Sequence, residues 1–152
     1  RGRTTRAIPT RSTTTLRASR RILQMKYGIT CPEGCRCFDQ DRAQKVTEAR
    51  KLDGLIFERG GRGDGKGALR AAERLLSLLD TLKASPISKA RTNYDAFQVA
   101  IMTRDTVGRA GGFIRAAHAL NVAVGRADSP KAVEMKGYCD APQRHRNYLA
   151  GQ

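Results

Sequence analysis

A chain of 152 residues with 29 Lys and Arg against 14 Asp and Glu carries a formal net charge of +15, which makes the compact state repel itself unless something anionic binds it. The longest apolar stretches, around residues 68–82 and 96–124, are broken by charged residues, Asn and Gly well before the ~20 apolar residues a membrane span needs. Four Cys are too few for a disulfide-dense secreted scaffold and leave the redox compartment open.

The first segment concentrates the charge. Arg1, Arg3, Arg6, Arg11, Arg17, Arg20, Arg21 and Lys26 are eight cations with no acid before Glu33, while the other 126 residues hold 21 bases against 14 acids. Such asymmetry is the footprint of nucleic acid or an anionic surface as partner. Residues 1–30 read as an extended basic arm. Thr4, Thr5, Thr10, Thr13, Thr14 and Thr15 disfavour helix, and Pro9 pushes Ile8 towards extended geometry. A short helical turn is expected within residues 16–24, where Leu16, Ile22 and Leu23 can dock on the core. The chain opens on Arg rather than Met, and its acid-free, Arg/Ser/Thr-rich start is also the composition of an organellar transit peptide. The expectation here is a mature binding arm, because a segment with so little to bury needs a partner to order it.

Residues 31–129 read as a helical core domain. After a cysteine-bearing turn, Cys31-Pro-Glu-Gly-Cys35-Arg-Cys37, a surface helix is expected over residues 39–52, capped by Asp39 or Asp41 and thinly apolar through Ala43, Val46 and Ala49. Residues 58–67 hold five glycines and are expected to be irregular; residues 54–58 form at most a short strand. A core helix is expected over residues 66–84, where Leu69, Ala72, Leu76 and Leu79 recur at three and four, and Leu75, Leu78 and Leu82 widen the stripe. Ser85-Pro86 starts the next helix, running to about residue 107 with Tyr94, Phe97, Ile101 and Val107 inward. Gly108, Gly111 and Gly112 then kink it, split it or admit a close neighbour. The period resumes through Phe113, Ile114, Ala117, Leu120 and Val124. Ser129-Pro130 begins a short last turn, and residues 130–152 form a short basic C-terminal segment. The expected fold is mostly α: a small antiparallel helical bundle with an extended basic N-terminal arm.

Gly60 to Gly67 nearly spells a phosphate-binding loop, with Lys66 in place. Gly67 stands where the metal-binding hydroxyl belongs, and no parallel sheet follows, so nucleotide hydrolysis is not expected. Two readings of this loop stay open: a plain flexible loop, or free N–H groups with Arg59, Arg62 and Lys66 that hold one phosphate at a helix N-terminus. Cys31, Cys35 and Cys37, closed by Cys139 or His145, are a candidate structural zinc set, against a disulfide from Cys35 or Cys31 to Cys139 or free thiols, because the spacing departs from the usual closely paired ligands. His118 reads as packed or surface-exposed, and His145, between Arg144 and Arg146, as part of the basic tail. Asp39, Asp41 and Asp53 read as caps and solvated charges. No nucleophile–base–acid set appears, and no enzyme is expected.

Contact with nucleic acid should come through charge. The aromatics left over after Tyr94, Phe97 and Phe113 enter the core are too few for a base-stacking platform. The candidate contacts are the eight arm cations together with Arg59, Arg62, Lys66, Arg144 and Arg146, binding phosphates without sequence readout, RNA ahead of DNA. The leading expectation is an organellar ribosomal protein, in a mitochondrion or plastid, whose arm threads between RNA helices. The alternative is a viral nucleocapsid or coat protein that packages a genome in a polymeric lattice, which would place the chain in a virion. The opening Arg-Gly-Arg-Thr-Thr-Arg and the later Tyr27-Gly-Ile-Thr30 resemble segments in coat proteins of rod-shaped archaeal viruses, over those residues alone. A third expectation is an accessory subunit of an organellar membrane complex; all three make the chain one component among neighbouring proteins.

Overall fold

The structure, a computed structural model, describes Arg21 and residues 24–29, 40–125 and 127–151. Five helices follow a helical turn at residues 24–27: α1 (Gln40–Gly61), α2 (Gly65–Thr81), α3 (Pro86–Ala100), α4 (Ala110–Val124) and α5 (Pro130–Asp140). Single 3₁₀ turns sit at Val107–Arg109 and Pro142–Arg144, and no strand occurs among the described residues. The chain is a mostly α helical bundle.

Short connections force neighbours to run antiparallel, and the cross-helix pairs show it. Arg59 of α1 meets Gly67 of α2 at 3.4 Å, while Glu48, further back on α1, pairs with Arg74, further along α2. α3 lies at the centre, against α2 and α4 and, less extensively, α1; α5 packs on α4. The core is filled by Ile56, Leu69, Leu75, Leu79, Leu82, Phe97, Ile101 and Ile114, all essentially inaccessible. Each such side chain contributes roughly 1.5–3 kcal/mol by leaving water.

α2 follows its leucine period. Leu69, Ala72, Leu75 and Leu79 are buried, and Leu76 and Leu78 flank the seam half-buried. It ends in a Schellman motif: Lys83 takes a left-handed φ of 53°, the Ala84 N–H donates to Leu79 O at 2.8 Å, and the Lys83 N–H donates to Asp80 O at 3.0 Å. These bonds satisfy carbonyls that the helix end leaves open. Ser85 and Ser129 cap α3 and α5 as their Ser-Pro sequences predict, each side chain accepting an N–H three residues on.

Four expectations are corrected. Residues 54–61 are neither strand nor irregular, because α1 continues through them for 22 residues in all. Leu52 and Ile56 are buried along this stretch, and Gly60 lies so close to α3 that a Cβ there would come within 2.9 Å of Val99. Packing offsets the roughly 1 kcal/mol that each helical glycine costs. The third helix stops at Ala100 rather than near residue 107. The buried Thr106 hydroxyl donates to Ala100 O at 3.0 Å, satisfying a carbonyl that the helix end leaves open, and the glycines fall beyond this end. Pro130 begins an 11-residue helix, not a short turn, because Ala132 and Met135 bury against the bundle. His145 is 4 % exposed and is core rather than solvated tail; its ring fills a gap between Tyr94, Phe97 and Tyr138.

Candidate nucleic-acid interface

The arm cations Arg1, Arg3, Arg6, Arg11, Arg17 and Arg20 lie outside the described residues, as do Leu16, Ile22, Leu23, Cys31, Cys35, Cys37 and Asp39. What is described is how the basic segment joins the bundle. Tyr27 and Ile29 are buried, at 4 % and 3 % exposure. Tyr27 O accepts the N–H of Ser85 at 3.0 Å, and Lys26 O accepts the hydroxyl of Ser88 at 3.3 Å. Both acceptors therefore dock on the start of α3. Gly28 follows them at φ 62°, and a Cβ there would collide with the Ser85 side chain. Only glycine combines that φ with that proximity at low cost.

Asp53 corrects a further expectation, since it is buried rather than solvated. Its carboxylate receives Lys26 Nζ at 2.8 Å and Arg91 Nη2 at 3.1 Å to both oxygens, so one anion joins the arm root, α1 and α3. Arg91 also reaches Asp95 at 3.5 Å, whose carboxyl is pushed up by burial and held back by Arg91. Burial likewise raises the Tyr27 phenol, with the neighbouring Lys26 ammonium opposing the rise. Lys26, expected as a phosphate ligand, is thus engaged at the root.

The glycine-rich loop is a tight turn over residues 62–64 between two helices. Its helix N-terminus is already occupied: Asp64 Oδ1 accepts the Gly67 N–H at 2.8 Å, and a Cβ on Gly67 would strike that carboxylate. Lys66 pairs with Asp105 at 3.2 Å and Arg62 with Glu58 at 3.0 Å, while Arg59 donates to Gly67 O. Lys66 lines a cleft of about 290 Å³ with Asp64, Thr103, Arg104, Asp105 and Gly151, a wall of mixed charge. Arg144 and Arg146 are exposed on either side of the buried His145.

Other cations, not singled out from the sequence, stand exposed without an ion pair to a described carboxylate: Arg50 and Lys51 on α1, Lys83, Arg104 and Arg115. Arg50 lies close enough to Tyr27 to oppose the rise of its phenol, so the outer face of α1 continues the basic character of the arm root. Helical spacing, with Lys51 opposite Val46, Ala49 and Leu52 and Arg50 on the flank of that stripe, was the signal for it. Among the described residues no group of His, Cys, Asp and Glu is arranged to hold a metal ion. Cys139 is half-buried and has no disulfide partner among the described residues, its thiol pushed up by burial; the other three cysteines of the zinc set lie outside them. No described helix is long and apolar enough to cross a membrane. Comparison with known proteins finds no matching family model, no similar curated protein and no similar solved structure.

Proposed function

We propose that this chain is a structural nucleic-acid-binding component of a large assembly, its arm held on phosphate backbones and its bundle acting as the anchor. The observation that carries the reading is the joint between the two. An acid-free segment with seven cations runs directly into residues 24–29, which the bundle grips through Tyr27, Ile29 and the Asp53 ion pairs. A polyanion bound along the arm is thereby coupled to a rigid body. Contacts are to phosphate, so affinity should fall steeply with salt and depend little on sequence.

The leading assembly is a ribosomal particle of an organelle, with RNA as the polyanion; a genome-packaging lattice of coat subunits is the second. Purification from the source distinguishes them through absorbance at 260 nm, nuclease treatment and sedimentation. A ribosomal component co-sediments with subunits and is released by nuclease, and a coat protein appears as one repeating particle of fixed protein-to-nucleic-acid ratio. Material free of nucleic acid that leaves its assembly only with detergent contradicts both.

A further inference from the structure

Beyond the arm, the C-terminal segment carries a second basic cluster built around a buried histidine. We infer that Arg144-His145-Arg146 is a proton-gated polyanion contact: the neutral His145 ring locks the segment onto the bundle, and protonation frees it and adds a third cation. This inference rests on the nucleic-acid reading above and concerns its regulation.

The hydrogen bonds fix the ring's protonation state. His145 Nδ1 accepts the backbone N–H of Asn147 at 3.1 Å, so that nitrogen carries no proton. The single proton then sits on Nε2, where the Tyr94 hydroxyl oxygen can accept it at 3.3 Å; the Gln98 amide nitrogen, 3.5 Å away, is itself a donor and accepts nothing from it. A second proton must go onto Nδ1, where it opposes the N–H of Asn147, donor against donor. Both nitrogens are therefore committed, and only the neutral ring fits.

One carboxylate, Glu134, favours the cation, and burial with the neighbouring cations outweighs it. α3 presents the Tyr94 phenol and the Gln98 amide, with Phe97 edge-on at 5.4 Å between centroids. α5 presents Tyr138, centred 4.9 Å away, together with Lys131 and Glu134. That one carboxylate is already taken, pairing with Lys131 at 3.0 Å and accepting the Tyr138 hydroxyl at 3.2 Å. Lys131 itself lies 4.1 Å from the Tyr94 ring centroid. On its own segment the histidine has Arg144 and Arg146. Burial first, and Arg146 second, hold the imidazole below its ordinary value.

Past the ring, the segment is held by few bonds. The Leu149 N–H donates to Ile101 O at 2.6 Å and the Gly151 N–H to Met102 O at 3.2 Å, while Leu149 sits at a left-handed φ of 52°. Because the folded-state pKa is depressed, the stability given by the neutral ring is complete above about pH 6.5 and is lost as pH falls from there towards the folded-state value. A polyanion favours the freed, cationic form, and by reciprocity its binding should promote protonation.

The test uses the full chain and a single-stranded oligouridylate as probe. Amide exchange should show protection at Leu149 and Gly151 falling by up to about tenfold per pH unit below about pH 6.5, while the amides of α3 keep theirs. His145→Phe, which keeps an aromatic ring in the gap, should abolish that fall, and acidification should tighten oligonucleotide binding more in the parent chain than in the variant. If the variant does not fold, the exchange profile of the parent chain decides. Protection that stays level through the acid range, or the same pH dependence of binding in both proteins, overturns the gate and leaves the nucleic-acid reading standing. Failure of the parent chain to bind the oligonucleotide at any pH overturns that reading instead.

Discussion

Asp53 shows how one buried group can organise a junction. Taking a carboxylate out of water is costly unless cations and donors surround it, and here Lys26 and Arg91 do so from two different segments. Both cations remain partly exposed, at 35 % and 50 % of their side-chain surface, so the net gain is modest. Asp53→Asn should lower unfolding stability by about 1–3 kcal/mol in urea titration, with the arm root loosened ahead of the rest in amide exchange. Gly28→Ala combines a left-handed residue with a clash on Ser85 and should cost about 2–4 kcal/mol in the same titration. His145 teaches the converse lesson about legibility. Its sequence neighbours, Arg144 and Arg146, point to solvent, and only the tertiary arrangement of Tyr94, Phe97 and Tyr138 makes an aromatic gap that an imidazole fills.

At the scale of elements, what could be read from sequence was whatever local chemistry dictates. The leucines of α2 and the Ser-Pro starts of α3 and α5 are periodicity and capping signals, and the structure follows them. What could not be read was decided by distant partners. Gly54, Gly60 and Gly61 carry the propensity of a loop, yet α1 runs through them because Leu52 and Ile56 bury and Gly60 admits Val99. This difference is testable, since Gly54 has open space around a would-be Cβ whereas Gly60 does not. Gly54→Ala should raise stability by roughly 0.5–1 kcal/mol, and Gly60→Ala should lower it by about 1–3 kcal/mol through overpacking. Thermal unfolding of the two variants reads both signs. The end of α3 was equally hidden, and the partner that satisfies its Ala100 carbonyl is a threonine six residues further on.

For the molecule as a whole, the two levels divide the work. The bundle holds the hydrophobic core and neutralises many of its own charges in pairs such as Lys66–Asp105 and Lys136–Asp140. The expected phosphate contacts of the glycine loop were legible as residues but not as an arrangement, because Asp64 supplies its own cap and three carboxylates or carbonyls engage Arg59, Arg62 and Lys66. The arm has no such internal partners in sequence before Glu33, and the bundle's contribution is to grip its root. Binding should therefore reside mainly in the arm, with Arg50 and Lys51 on the adjoining face of α1 in support. Removing residues 1–24 takes away seven of the eight arm cations and leaves Lys26, Tyr27 and Ile29 in place. The direct measurement is the affinity of the full chain and of this truncation for single-stranded RNA across a salt series. The slope of log affinity against log salt should shrink by as much as about 5, with the helical signal of the bundle intact. An unchanged affinity with the same slope would contradict the account.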